Sequence, residues 1–162
     1  MNKKLRHYEE SLLIPASAEE IFVYTDDHTN FSSHMNKSSW MMGGGRMETR
    51  VDEGKGQKIG SHIQMRGSVF GLKLYLDEVI VRHEPPHHKA WKTVGDLNLL
   101  VIDHYKLGFD IEPDNTNSRL RVYIDYNLPQ SAAARILGYL FGGMYAKWCV
   151  NQMISGVKKH FK

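Results

Sequence analysis

A single cysteine, Cys149, stands in the 162 residues, which excludes an internal disulfide and any metal centre built on several thiolates. It falls in an apolar run with helical spacing, where a packed thiol is expected rather than a nucleophile. Long hydrophobic runs are missing too. The longest uncharged apolar stretch, ILGYLFGGMYA, has 11 residues, against the roughly 20 that a membrane span needs. The opening MNKKLRHYEESLL carries basic residues but no apolar segment of the kind a secretory signal requires. Charge of one sign is scarce: 21 basic and 18 acidic residues leave a net charge of +3. They are interspersed, with no basic stripe interleaved with aromatics, so nucleic acid is not an expected partner. A cytoplasmic location is the expectation, with no metal and no cofactor. The adjacent His87 and His88, with His83 nearby, fall in a turn where neighbouring side chains point apart and no further ligand completes a tetrahedral set. The glycine cluster MMGGGRM lacks the Lys-Ser/Thr and helix start of a phosphate-binding loop.

What is present fits one globular domain over residues 1–162, with 41% hydrophobic and 24% charged residues. RHYEESLLI reads as a first strand ended by Pro15. ASAEEIFVYTDD starts a helix, with Ser17 as N-cap and Glu20 three residues on. HTNFSSHM reads as a short second helix or turn, and GGG at 43–45 as a break. From Arg46 to Leu128 six segments alternate in the manner of strands: RMETRVD, SHIQMRGSV, LKLYLDEVIVRHE, the strand after the EPPHH turn, LLVIDHYKLGFDIEP and SRLRVYIDYNLP. Pro129 stops the last of these, and Ser131 can cap a long helix to the C-terminus. That helix is apolar nearly all round from Ala132 to Ala146 and one-sided beyond Trp148, with Gly142-Gly143 able to permit a bend.

Hairpin-length connections predict one antiparallel sheet of seven strands in an α+β fold. Its dry face needs a cover, and the C-terminal helix is the long apolar candidate. This order resembles the START-like superfamily, the polyketide cyclase/dehydrase and lipid-transport group with its helix-grip fold. The phrases SLLIPASAEEIFVYTDD, GSVFGLKLYLDEVIVRHEPP and SRLRVYIDYNLP carry the likeness over nearly the whole chain. The resemblance implies a curved sheet wrapped around the long helix, two short helices after the first strand, and a tunnel for an apolar or aromatic small molecule. The group shares no catalytic motif, so no catalytic residue is carried over. At FSSHM, where many members have a tryptophan, this chain has His34, with Trp40 a few residues later.

Three features bear on a site. In the segment 101–111, Asp103 occupies the dry parity between Val101 and Tyr105. There it could anchor a ligand hydroxyl or amine or act as a general base, or it could pair with a neighbour near the strand's end. In LKLYLDEVIVRHE the alternation slips at Asp77-Glu78. A bulge there would bury Val79 and Val81 and leave Glu78 and Arg82 in water; unbroken parity would turn both charges inward. The weighting favours the bulge, because valines bury and charges do not. Large and flexible side chains collect on the expected dry faces, among them Met47, as an adaptable apolar pocket requires. The expected ligand contacts are Met65, Leu74, Trp91, Asp103, Tyr105, Phe109, Val122, Tyr126, Leu140, Met144 and Trp148, enclosing one elongated pocket. Three functions stay open: binding of a small hydrophobic molecule, a cyclase- or aromatase-type enzyme using Asp103 or Tyr105, and a protein-interaction module.

Overall fold

The computed structural model describes residues 4–36 and 45–162; Trp40 and the first two glycines of the GGG break lie outside them. Strand β1 (Arg6–Ile14) leads into helix α1 (Ala18–Asp26), which starts on the expected capping box. The Ser17 hydroxyl accepts from the Glu20 amide at 3.2 Å, and the Glu20 carboxylate accepts from the Ser17 amide at 2.9 Å. Asp27 caps the short α2 (His28–Phe31), accepting from the Thr29 amide at 2.9 Å, and a 3-10 turn (Ser33–Asn36) follows. Then come β2 (Arg46–Val51), β3 (His62–Val69), β4 (Leu72–Glu84), β5 (His88–Thr93), β6 (Tyr105–Asp114) and β7 (Asn117–Tyr126). They form one sheet in the order β1-β7-β6-β5-β4-β3-β2, antiparallel at every pairing. The β3–β4 hairpin turns through Phe70 and Gly71, both at positive φ, the geometry whose twist matches that of the flanking strands.

Segment 101–111 is strand only from Tyr105 onward. Its first four residues belong to a loop, where the Asp103 amide donates to the Asn127 carbonyl at 2.8 Å and the Asn127 amide to the His104 carbonyl at 3.0 Å. Those bonds brace the loop against the end of β7 and leave residues 101–104 outside the β6 pairing, which begins at Tyr105 opposite Tyr126. In β4 the alternation runs unbroken through Leu74, Leu76, Glu78 and Ile80, all buried. The register shift falls later, between Ile80 and Arg82. Glu78 therefore points inward while Arg82 is exposed and pairs with Glu84 at 2.9 Å. The bulge exists, but too late along the strand to expel Glu78.

The C-terminal helix is continuous in three parts: α3 (Ala132–Leu137), a π-helical segment (Gly138–Gly142) and α4 (Gly143–His160). Ser131 caps it through the Ala134 amide at 3.3 Å. Ala146, Val150, Met153 and Val157, spaced four, three and four residues apart, are buried in the core with Ile63, Met65, Leu76, Phe109, Leu120 and Ile124 of the sheet. The C-terminal helix covers the sheet as expected, but with its second half only, so the expected contacts Leu140 and Met144 do not face the interior. Before Ala146 only Gly138 and Gly142 are buried, set against the carbonyl of Val101. A Cβ at Gly142 would sit 2.9 Å from that oxygen, so the close approach requires glycine.

Helix α1 is held to the sheet by a buried charge. Lys89 of β5 has a fully buried side chain whose ammonium donates to the Asp26 carbonyl and carboxylate, each at 2.8 Å. His83 of β4 meets the same carboxylate at 3.0 Å. Burial lowers the Lys89 pKa, and the Asp26 carboxylate opposes that shift. Removing one partner of such a pair costs more than the pair contributes, because the other is left unmatched. Lys89→Met is expected to lower stability by about 2 to 3 kcal/mol, read from urea denaturation midpoints at unchanged slope.

Candidate functional site

Between the sheet, the short helices and α4 lies an interior cavity of about 30 Å³. Among the described residues the elongated pocket expected from the sequence is not formed, because large side chains fill most of the interior. Room for water alone remains. The lining is apolar at Met35, Met65, Leu76, Leu99, Ile102 and Met153, and polar at His34, Glu78, Tyr105 and Tyr145. A wider concavity of about 1440 Å³ opens to solvent along β2, β3 and the start of β4. Its walls include Arg46, Glu48, Arg66 and Lys73, and it shares no lining residue with the interior cavity. The interior is the candidate site, because buried polar groups there lack partners.

Glu78 is the centre of that group. The Tyr105 hydroxyl donates a short hydrogen bond to Glu78 Oε1. Glu78 Oε2 has no hydrogen-bond partner and faces His28 Nε2, likewise unpartnered, at 3.6 Å. Burial raises the Glu78 pKa to about 7, against the lowering effect of the Tyr105 hydrogen bond and of the nearby Trp91. Burial also holds His28 neutral, with its pKa lowered to about 3, and the charge of Lys89 adds to this. His34 is buried with neither ring nitrogen hydrogen-bonded, and desolvation lowers its pKa to about 4. Its ring meets Trp148 edge-on at 5.2 Å. Tyr105 and Cys149 are both raised by burial, Cys149 to about 12, so that thiol is not a nucleophile at neutral pH. Among the described residues no group of three or more His, Cys, Asp or Glu is arranged to hold a metal ion.

Of the residues singled out from the sequence, Met65, Trp91 and Tyr105 line the cavity. Phe109, Val122 and Tyr126 lie in the surrounding core, and Leu74 is buried beneath the outer concavity. Trp148 is half-buried and outside the lining, its ring against that of His34, which lines the cavity. Leu140 and Met144 are exposed on the part of the helix that does not face the sheet. Asp103 does not line the cavity. Its carboxylate meets His104 Nδ1 at 2.9 Å and Gln130 Nε2 at 3.4 Å, contacts of a residue that braces a loop. His28 was not anticipated; Glu78 faces inward as only the less favoured of the two parities would have it, and the sequence marks His34 only as standing where many relatives have a tryptophan. Glu78 was legible from Ile80, which shares its parity. His28, Phe31, Ser32 and Met35 recur at helical spacing and mark a buried face. His34 gives no such signal.

These shifts act on stability in opposite directions. Glu78 keeps its proton longer in the folded chain, so its contribution is full below its unfolded pKa and is lost as pH rises through about 7. His28 and His34 resist protonation when folded, so their contribution is full above the ordinary histidine value of 6.5 and is lost as pH falls toward about 4 and 3. Glu78→Gln removes only the first effect. Relative to the unaltered protein, the variant is expected to gain about 2 to 3 kcal/mol between about pH 5 and pH 8. Parallel stability curves for the two proteins would show that Glu78 is not perturbed.

No curated protein is detectably similar to the chain in sequence. Solved structures share its fold. A Thermus thermophilus protein, TTHA0849, is 14% identical with a TM-score of 0.67, over 95% of each chain. Truncated norcoclaurine synthase from Thalictrum flavum is 14% identical with a TM-score of 0.66, over 96% of this chain and 92% of that one. The Zhui aromatase/cyclase from Streptomyces sp. R1128 is 12% identical with a TM-score of 0.65, over 98% and 97%. The helix-grip architecture expected from the sequence is thus the observed one. A family model described as polyketide cyclase/dehydrase and lipid transport matches residues 6–153, nearly the whole chain, and the protein belongs to that family.

Proposed function

We propose that the protein binds a small hydrophobic molecule, aromatic or lipid-like, in the interior between the sheet and α4. The observation that carries this reading is the set of unpartnered polar atoms at the cavity: both His34 nitrogens and Glu78 Oε2. A buried polar group without a partner costs about 1 to 3 kcal/mol, and a ligand with one polar end would recover that cost. The cavity of about 30 Å³ is smaller than any such ligand, so binding requires side chains to move. Three of the lining residues are methionines, Met35, Met65 and Met153, which repack through unbranched, rotatable side chains. Membership of a family that includes lipid transport agrees with this. On the same fold, norcoclaurine synthase has been solved in complex with dopamine and hydroxybenzaldehyde. The free buried thiol fits a reducing compartment, and we place the protein in the cytosol, with a small molecule rather than nucleic acid as partner.

One observation favours a second reading as an enzyme of cyclase or aromatase type. The Glu78 carboxyl, pushed up to about 7, can give or take a proton near neutral pH. In that case Glu78→Gln abolishes turnover of an aromatic substrate while binding persists.

The matched probes naphthol and naphthalene test the binding reading through tryptophan fluorescence. Trp91 lines the cavity and Trp148 touches His34, so a bound probe is expected to change the emission. Naphthol is expected to bind on the order of tenfold tighter, the worth of one recovered hydrogen bond. His34→Leu is expected to leave the empty protein as stable or stabler, because two orphaned nitrogens are gone, and to narrow the naphthol advantage. Absence of binding by either probe and by longer-chain fatty alcohols would sink the reading.

A further inference from the structure

The first half of the C-terminal helix carries an apolar surface that nothing in the described chain covers. Ile136, Leu140 and Met144 follow one another at four-residue spacing and are 62%, 64% and 47% exposed. Leu137 and Phe141 lie beside them, 45% and 46% exposed, with Tyr139 at 62%. The side of the helix turned to the body is instead glycine, Gly138 and Gly142 against the Val101 carbonyl. The large side chains are therefore the ones left facing water. A monomer seldom keeps a contiguous apolar patch of this kind without a partner for it.

The charge around the patch identifies the partner. Arg135 precedes it, Lys147 follows it, and both are exposed. The Arg6 guanidinium sits 4.8 Å over the Tyr139 ring. No acidic residue follows Asp125, whereas five of the 21 basic residues do, at 135, 147, 158, 159 and 162. The carboxylate of Asp103, on the loop beneath the helix, is engaged by His104 and Gln130. An apolar face with aromatic residues and a cationic rim matches the boundary between acyl chains and anionic headgroups. A second copy of the chain, packed about a two-fold axis, would bring the same cations face to face. No helix among the described residues is long and apolar enough to cross a membrane, which leaves the helix lying on the surface.

We propose that residues 135–147 dock the protein on an anionic lipid surface, with Ile136, Leu140, Phe141 and Met144 entering the acyl boundary and Arg6, Arg135 and Lys147 meeting phosphates. The loop between β5 and β6 is clamped beneath this face by Val101, and two of its residues, Leu99 and Ile102, line the interior cavity. The docked bilayer then stands one loop away from the cavity. The proposal does not depend on which ligand, if any, the cavity holds.

The test is flotation of the full chain with vesicles of phosphatidylcholine, alone and mixed with phosphatidylglycerol. The protein is expected to float with the mixed vesicles, to stay behind with phosphatidylcholine alone, and to be released as salt is raised. Leu140→Ser with Phe141→Ser is expected to lower partitioning on the order of tenfold or more at an unchanged melting temperature, since both side chains are exposed. Arg135→Glu with Lys147→Glu is expected to abolish the preference for phosphatidylglycerol. Protein left in the aqueous fraction with both vesicle types would overturn the proposal. So would binding unaffected by the serine variant, equal binding to both vesicle types, or a dimer in sedimentation that the serine variant dissolves.

Discussion

The inner face of a seven-stranded sheet has to be kept from water, and of the C-terminal helix only the second half packs on it. Helix α4 supplies one stripe, Ala146, Val150, Met153 and Val157, and α1 adds Ile21 and Phe22. The remainder falls to α2, the 3-10 turn and the loop between β5 and β6, which contribute Phe31, Met35 and Ile102. Short helices and loops bring polar side chains with them. His28 and His34 are buried because they ride on the segments needed to close the sheet, and Glu78 because its strand keeps parity with Leu76 and Ile80.

Closure explains the electrostatics of the interior. Desolvation, rather than a strong charge partner, is the main cause that holds His28 and His34 neutral and raises the Glu78 pKa to about 7. Lys89, equally buried, stays charged because the Asp26 carbonyl and carboxylate meet its ammonium. One buried cation thus fastens α1, while the titratable groups Glu78 and His34 line the cavity. The first is a structural contact with its hydrogen bonds made. The second keeps unmade bonds at His34 and at Glu78 Oε2.

The helix that closes the sheet also leaves it. Glycines at 138 and 142 let its first half rest on the Val101 carbonyl, and the large side chains turn outward. The same chain segment therefore serves the core after Gly143 and the surface before it. Its π-helical stretch, Gly138–Gly142, marks the change between the two roles.

Local pattern alone determined a good deal. The Ser17–Glu20 capping box, the alternation of the strands and the Ser131 cap each depend on residues within a few positions of one another, and these elements form where the pattern places them except at the start of β6. Their order and the three family-like phrases were enough for the helix-grip fold. What faces what was decided elsewhere. Asp103 keeps the parity of a strand, yet its amide bonds to Asn127 and draws it into a loop, a contact between segments far apart in sequence. Leu140 and Met144 look like core by composition, yet glycine packing turns them to the surface. Glu78 looks too charged to bury, yet the bulge that would have freed it forms only after Ile80, where β5 sets the register. Periodicity states that a face exists; only the packing of distant elements states which face is covered, by what, and with how much space left between them.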